Sequence, residues 1–392
     1  MIDAIVAGHL CVDIIPTIDQ VAASSESFLA PGRLTEVGPA VLSTGGAVSN
    51  TGLALHRLGV DVRLVARVGD DQIADLTRSL LQRYGAHLAD TLGVGAGEPS
   101  SYSVVINPPG IDRTFLHCTG TNDTFGPEDV DPSLVSQARL FHFGYPPLMR
   151  RMYADGGIAL AETLDTANRA GATVALDMAM PDPAKPSGQA DWPGILVRAL
   201  PHVQLFVPSV EELLYMLRRP RYDELARDVG QADMLDEITA DEVSSLARAA
   251  ITLGARIVLL KMGHRGLYVR TAPDLGDMGR AAPADPANWS GRELWAPCFH
   301  VTVRGTVGAG DATIAGFLAG LLKGETIEGA LTAGVAVGAC CVETPDATSG
   351  IRPWETTQAR IASGWDRLPA GPEDQGWPRQ GGLWHGPEDR AH

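Results

Sequence analysis

The sequence predicts an α/β fold, with a mostly parallel central sheet, helices on both faces and a small β-strand lid. Three observations predict it. Short apolar runs rich in β-branched residues end at Gly, Pro, Ser or Asp, helical patterns lie between them, and two stretches break that alternation.

The first run, residues 4–7, is stopped by Gly8 and reads as a strand buried in the sheet. Similar runs follow at 62–69, 172–178, 203–209 and 255–263. Helical patterns start near residues 50, 75, 159, 211 and 241, and several end in Gly, a C-cap signal. The breaks lie at about 14–44, rich in Ser, Pro and Gly, and at 100–118, where SYSVVIN and RTFLHC read as a hairpin around the turn PPGID. Exposed strands inserted into an α/β body form a lid or a subunit contact, and these are the expected lid elements. Residues 271–297 show little periodicity and read as a surface insertion. Beyond a main unit over 1–363, residues 364–392 read as an irregular C-terminal tail in which GPED occurs at 371 and 386.

The 392 residues, 45% hydrophobic and 20% charged, are enough to bury a large core. The net charge of -16 and the lysines at 185, 261 and 323 alone argue against nucleic acid, which needs clustered cations. The same logic disfavours an anionic membrane surface. Five cysteines without a CxxC pair indicate reduced thiols rather than a disulfide framework or zinc site, and the histidines lack metal spacing. An acidic N-terminus and the lack of an 18-residue apolar run predict a cytoplasmic protein.

Three segments carry chemistry. In RGTVGAGDATIAGFLAGLLKG (304–324), glycines precede an apolar helix beginning near Asp311, so free backbone N–H groups and the helix dipole can hold an anion. The segment lacks the spacing of a Walker loop or a dinucleotide fingerprint. In LSTGGAVSNTGLALHRLG (42–59), the Gly45–Gly46 pair permits close backbone approach and Asn50 can present an amide to a polyol. In VAGHLCVDIIP (6–16), Asp13 sits just past a strand end, where open α/β sheets bind ligands. Taken singly, each is more readily read as a cap or a solvated loop carboxylate than as a site.

Together, in this order, the three segments resemble the ribokinase-like (PfkB-type) carbohydrate kinases over roughly residues 1–360. GGAVSNTGLALHRLG with ARVGDD is similar to the family's N-terminal signature, and GTVGAGDATIAGFLAGLL to its C-terminal one. The resemblance implies a ribokinase-like fold, ATP and Mg²⁺ as cofactors, and a sugar as acceptor. It puts Asp311 at the catalytic base, Thr306, Gly308, Ala309 and Gly310 at the anion hole, and Asp13, Gly45, Gly46 and Asn50 at sugar-binding positions. FVPSVEELLYML resembles the NxxE element that organises Mg²⁺, with Glu212 keeping the Glu, acting through water, and Ser209 replacing the Asn. LLKMGHRG resembles the strand and turn near the nucleotide, with Lys261 in place of a Thr and Gly263 keeping the Gly. The segment 334–350 resembles the helix and loop flanking adenine. Asn122, after the lid strand, and Asp177, at a strand end, are expected to face the substrate.

The departures matter too. Gly305 stands where many relatives carry an Asp that binds a monovalent cation, which predicts weak or absent dependence on K⁺. Ala47 replaces the Lys that follows the Gly pair in ribokinases, and the first motif offers no basic residue for a substrate phosphate, leaving Arg67 and Arg113 as suppliers. An uncharged or acidic monosaccharide is the expected acceptor. The alternatives are a nucleoside kinase of the same family, with Phe141, Phe143 and Tyr145 forming an aromatic pocket, and a non-catalytic sugar or nucleotide sensor. Exposed lid strands predict a homodimer.

Overall fold

The strands of the chain are, in order, β1 (Ile2–Gly8), β2 (Cys11–Pro16), β3 (Ala40–Gly45), β4 (Val62–Val65), β5 (Arg67–Val68) and β6 (Gly93–Val94). There follow β7 (Tyr102–Ile106), β8 (Thr114–Cys118), β9 (Ala138–Gly144), β10 (Thr173–Leu176), β11 (Leu205–Phe206) and β12 (Ile257–Lys261). Last come β13 (Leu267–Thr271), β14 (Glu293–Ala296), β15 (Arg379–Gln380) and β16 (Leu383–His385). The computed structural model describes residues 1–18, 32, 34–109, 114–372 and 376–390, without the side chains of 231 and 232.

The main sheet has the order β15-β16-β14-β13-β12-β11-β10-β9-β1-β4. From β4 to β12 its pairs are parallel, and β13, β14, β16 and β15 add antiparallel partners. Both faces are covered, so successive residues of one strand enter opposite cores. Ala4 and Val6 of β1 pack in one apolar layer, and Ile5 and Ala7 pack in the other. That is why these strands read as continuous apolar runs rather than alternating ones. Each fully buried Ile or Leu contributes about 1.5–3 kcal/mol relative to exposure.

Four helices position the site: α1 (Ala47–Arg57), α2 (Val210–Leu217), α3 (Ala309–Leu322) and α4 (Ile327–Val342). The expected helices near 75, 159 and 241 span Gln72–Gln82, Ile158–Arg169 and Ala240–Thr252. α1, α3 and α4 lie in the first core layer, whereas α2 and the helices at 158–169 and 240–252 lie in the second. α3 and α4 approach closely through small residues, since a Cβ on Gly316 would stand 2.6 Å from the Ala333 carbonyl oxygen. None of the helices among the described residues is long and apolar enough to cross a membrane.

The lid is the sheet β3-β2-β7-β8. The hairpin of β7 and β8 pairs Tyr102 with Cys118 and Ile106 with Thr114. Its turn, residues 110–113, and the lid residues 19–31 and 33 lie outside the described residues, and Arg113 is among them.

Two expectations are corrected here. Part of the supposed insertion at 271–297 is core, because β14 is buried throughout and Trp289 is fully buried. The tail is not irregular throughout either. β16 pairs antiparallel with β14, Leu294 opposite His385 and Trp295 opposite Trp384, and Trp377 packs edge-on against Trp295 at 6.1 Å. Without it β14 would present an open edge beside buried aromatics. The signal was the Gly381–Gly382 pair, with φ of 60° and 82°, a two-residue hairpin turn. It was obscured because the flanking strands are only two and three residues long.

Candidate active site

Asp311 lies in the first turn of α3, whose N-cap is Gly308 in the left-handed region at φ 70° and ψ 5°. A Cβ on Gly308 would stand 2.5 Å from the Ala347 Cβ, so only glycine fits both the conformation and the space. The first intrahelical bond runs from the Ala312 N–H to the Gly308 carbonyl at 2.8 Å. The N–H groups of Gly310 and Asp311 precede it, at the positive end of the helix dipole. The Ala309 N–H instead donates to the Thr306 carbonyl at 3.3 Å. Of the expected Gly308–Gly310 set, the Gly308 and Gly310 N–H groups have no backbone acceptor among the described residues, and the Asp311 N–H is a further free donor.

The Asp311 side chain is 4% exposed. Its Oδ2 accepts from Asn50 Nδ2 at 3.1 Å and its Oδ1 from Thr51 Oγ1 at 3.2 Å, both from α1. The Tyr145 hydroxyl lies 2.9 Å from Oδ1 and 2.8 Å from Oδ2. Burial pushes the Asp311 carboxyl above its ordinary range, and the Tyr145 hydrogen bond, the Lys261 charge and the bonds from Asn50 and Thr51 oppose that rise.

A cavity of about 680 Å³ opens over this carboxylate. Ser209, Glu212, Lys261, Gly263, Thr306, Gly308, Ala309 and Gly310 all line it. One wall is apolar, with Phe299, Val303, Val335, Ala339 and Val342, and α4 supplies the last three. Ser209 caps α2 in a capping box. Its Oγ accepts the Glu212 N–H at 3.1 Å and its own N–H donates to Glu212 Oε2 at 2.6 Å.

Lys261, at the end of β12, is not a surface lysine. Its Nζ donates to Asp177 Oδ1 at 2.5 Å, and the side chains are 13% and 0% exposed. The ammonium stands 3.9 Å from where a Cβ of Gly310 would be, within reach of anything held by the helix terminus. Burial raises the Asp177 carboxyl, the Lys261 ammonium pulls it back, and Glu212 and Asp311 raise it again. The floor of the cavity thus holds more carboxylate than ammonium. Asp177 is corrected from substrate contact to anchor of Lys261.

On the lid side, Asp13 packs against Gly45, where a Cβ would fall 2.2 Å from its Oδ2. Gly46, at φ 87°, is the N-cap of α1, and a Cβ there would meet the His9 Nδ1 at 2.5 Å. Asn50 is on the motif position, and its amide is bonded to Asp311. Asn122 is corrected outright: its Nδ2 donates to the Leu10 carbonyl at 3.0 Å and its Oδ1 accepts the Leu10 N–H at 3.1 Å, so the amide fixes the β1–β2 junction and is not offered to a substrate.

Sequence reasoning missed Tyr145 as a partner of Asp311, and missed Thr51 and His9 altogether. Tyr145 directly follows Gly144 at the carboxyl end of β9, the edge where open sheets bind ligands, so its position carried a signal. His9 is 3% exposed, and neither ring nitrogen has a partner among the described residues. Burial, reinforced by His117, lowers its pKa to about 3, so the imidazole is neutral. Phe141 and Phe143 are fully buried in the core and form no pocket wall, which removes two of the three aromatics behind the nucleoside alternative.

A family model described as "pfkB family carbohydrate kinase" matches residues 6–354. An ATP-dependent ribose-1-phosphate kinase of Halopiger xanaduensis is 27% identical over 340 residues, 86% of this chain and 91% of that protein. A 2-dehydro-3-deoxygluconokinase of Thermoproteus tenax is 25% identical over 318 residues, 80% and 84% of the two. The structure of an Arabidopsis thaliana ribokinase complexed with ribose and ATP superposes with a TM-score of 0.67 at 18% identity, covering 92% of this chain and 98% of that one. With Asn50 of the first signature bonded to Asp311 of the second and the match running over residues 6–354, the chain belongs to the pfkB family of carbohydrate kinases.

Proposed function

We propose that this kinase transfers the γ-phosphoryl group of ATP to a hydroxyl of an uncharged or acidic monosaccharide, with Asp311 as the base. The observation that carries the reading is the buried Asp311 carboxylate at the start of α3, beside free helix N–H groups and the Lys261 ammonium, on the floor of one cavity. The acceptor oxygen attacks the γ-phosphorus as the bond to ADP breaks, and its proton passes to Asp311. In a loose transition state that proton leaves late, so a strong base is not required and charge neutralisation dominates. The Gly310 and Asp311 N–H groups and Lys261 supply it, and the lid excludes water.

The residues suit Mg²⁺ because the carboxylates of Glu212 and Asp311 both press on Asp177, an excess of negative charge that a hydrated cation relieves. Glu212, through water, and the Ser209 hydroxyl would hold it, and it would neutralise phosphate charge. Gly305 supports weak K⁺ dependence, since a Cβ there would lie 2.9 Å from the Pro345 Cα and leave no space for an Asp.

The acceptor side favours hydroxyls over phosphate. Neutral His9 offers one donor and one acceptor. Arg67 is spent on Glu98 at 2.7 Å and Asp129 at 3.0 Å.

The deciding experiment measures ADP release with fructose, ribose, ribose 1-phosphate, 2-dehydro-3-deoxygluconate and nucleosides, with and without K⁺ at fixed ionic strength. Turnover with a neutral sugar or sugar acid, little changed by K⁺, is expected. Preference for a nucleoside or for ribose 1-phosphate would overturn the acceptor class. Sugar-dependent thermal stabilisation without ADP release would make the protein a sensor.

The lid exposes Val41 and Phe115, at 58% and 55%, beside Leu42 and Leu116. A second copy of the chain pairing there gives a homodimer, and sedimentation of a single-chain species at micromolar concentration would exclude it.

A further inference from the structure

Asp311 is closed by a hydroxyl that belongs to the protein. The Tyr145 phenol bonds both carboxylate oxygens, at 2.9 and 2.8 Å, and so lies across the open end of the group. Thr51 and Asn50 take one further direction on each oxygen. A sugar hydroxyl that hands its proton to Asp311 must reach the same oxygens from the cavity, which Tyr145 itself lines.

The backbone is bent to put the phenol there. Tyr145 has φ 66° and ψ 43°, left-handed values that a bulky residue rarely adopts. Its carbonyl accepts the Leu148 N–H at 3.0 Å, and Pro146 and Pro147 follow it, so the turn holds the ring away from the line of β9 and over Asp311. Backbone strain of this kind persists where the surroundings over-determine it. Burial and the Asp311 charge both raise the phenol's pKa, so it stays a neutral O–H donor, the same chemical group as a sugar hydroxyl.

We propose that Tyr145 is a built-in stand-in for the acceptor hydroxyl: in the sugar-free enzyme it occupies the proton-accepting face of Asp311, keeps water from that position, and yields it when the sugar binds. This rests on the reading of Asp311 as the base. The reaction it suppresses is hydrolysis, in which a water oxygen bonds to the γ-phosphorus, the bond to ADP breaks, and the water proton passes to Asp311. The cost is affinity, because each sugar must displace a charge-assisted hydrogen bond.

Tyr145→Phe keeps the ring and removes only the hydroxyl. Phosphate release from ATP and Mg²⁺ without sugar should rise about tenfold in the variant, the factor expected for losing one hydrogen bond to a charged group. The KM of the sugar that the panel identifies should fall several-fold while kcat changes less. Thermal unfolding of the variant, with and without that sugar, confirms that it folds and binds. If kcat falls while KM and sugar-free hydrolysis stay unchanged, Tyr145 only orients Asp311 and the proposal is overturned. Phosphorylation of Tyr145 itself, read by mass spectrometry of the wild type, would overturn it as well. A wild type that phosphorylates nothing sinks the kinase reading along with this one, whereas an active wild type with an unchanged variant sinks this one alone.

Discussion

Asp311→Asn is expected to abolish most turnover and yet raise the melting temperature at neutral pH. The loss follows if Asp311 receives the acceptor proton as proposed, a change worth about 10²–10⁴ in kcat. The gain follows from burial. The carboxyl is 4% exposed and its folded pKa lies above the unfolded value, so folding favours the protonated form. Below the unfolded pKa of about 3.9 the carboxyl costs nothing, and as pH rises through the folded pKa the penalty develops fully. The variant's advantage should therefore be present at pH 7 and vanish near pH 4.

The gain is bounded by the partners. Tyr145, Thr51 and Asn50 all donate to the carboxylate, and an amide has one acceptor oxygen, so the hydroxyls must rotate and one amide must turn. A rise on the order of 2 °C is expected, roughly what 1 kcal/mol gives in a large domain. Scanning calorimetry at the two pH values checks it, together with the acid limb of kcat/KM, which should lie above that of an ordinary carboxylate. Near-normal turnover would remove Asp311 from the chemistry. A lower melting temperature at pH 7 but not at pH 4 would contradict the burial argument.

Lys261→Met should lose both activity and stability, and the second loss should be recoverable. Asp177 is fully buried and Lys261 nearly so, with Nζ and Oδ1 2.5 Å apart. Deleting one partner of a buried ion pair costs about 3–5 kcal/mol, because the other charge is left in a low-dielectric interior. As pH falls Asp177 takes up a proton more readily without its ammonium, so the deficit should shrink. Adding Asp177→Asn should restore most of the stability at pH 7 without restoring turnover. The kcat of both variants should fall by about 10²–10³, the scale of losing one preorganised charge donor in a phosphoryl-transfer site. A single variant as stable as wild type would show the pair to be solvated, and a double variant with normal kcat would remove Lys261 from phosphate contact.

The order of strands and helices was open to reading because each element carries its own period and its own stops. A buried parallel strand such as Ala4–Ala7 is apolar throughout, and the run ends at Gly8. Asp71, Ser209 and Thr239 each precede a helix and accept a backbone N–H at its start. The tail defied that reading because β15 and β16 are too short for a period, and only pairing with β14 makes them strands. Asp177 and Asn122 looked alike, polar residues at ends and turns. The first meets an ammonium 84 residues away and the second a backbone 112 residues away.

What the residue order alone determined is therefore local: the buried strands, the glycine turn before α3, and the carboxylate at that helix start. Tertiary structure alone decided which polar groups face one another across the cavity. Asn50, Thr51 and Tyr145 reach Asp311 from 261, 260 and 166 residues away. The physical reason is range. Hydrophobic period and capping act within a few residues, whereas a hydrogen bond is made or missed within tenths of an ångström by segments that only the folded core brings together.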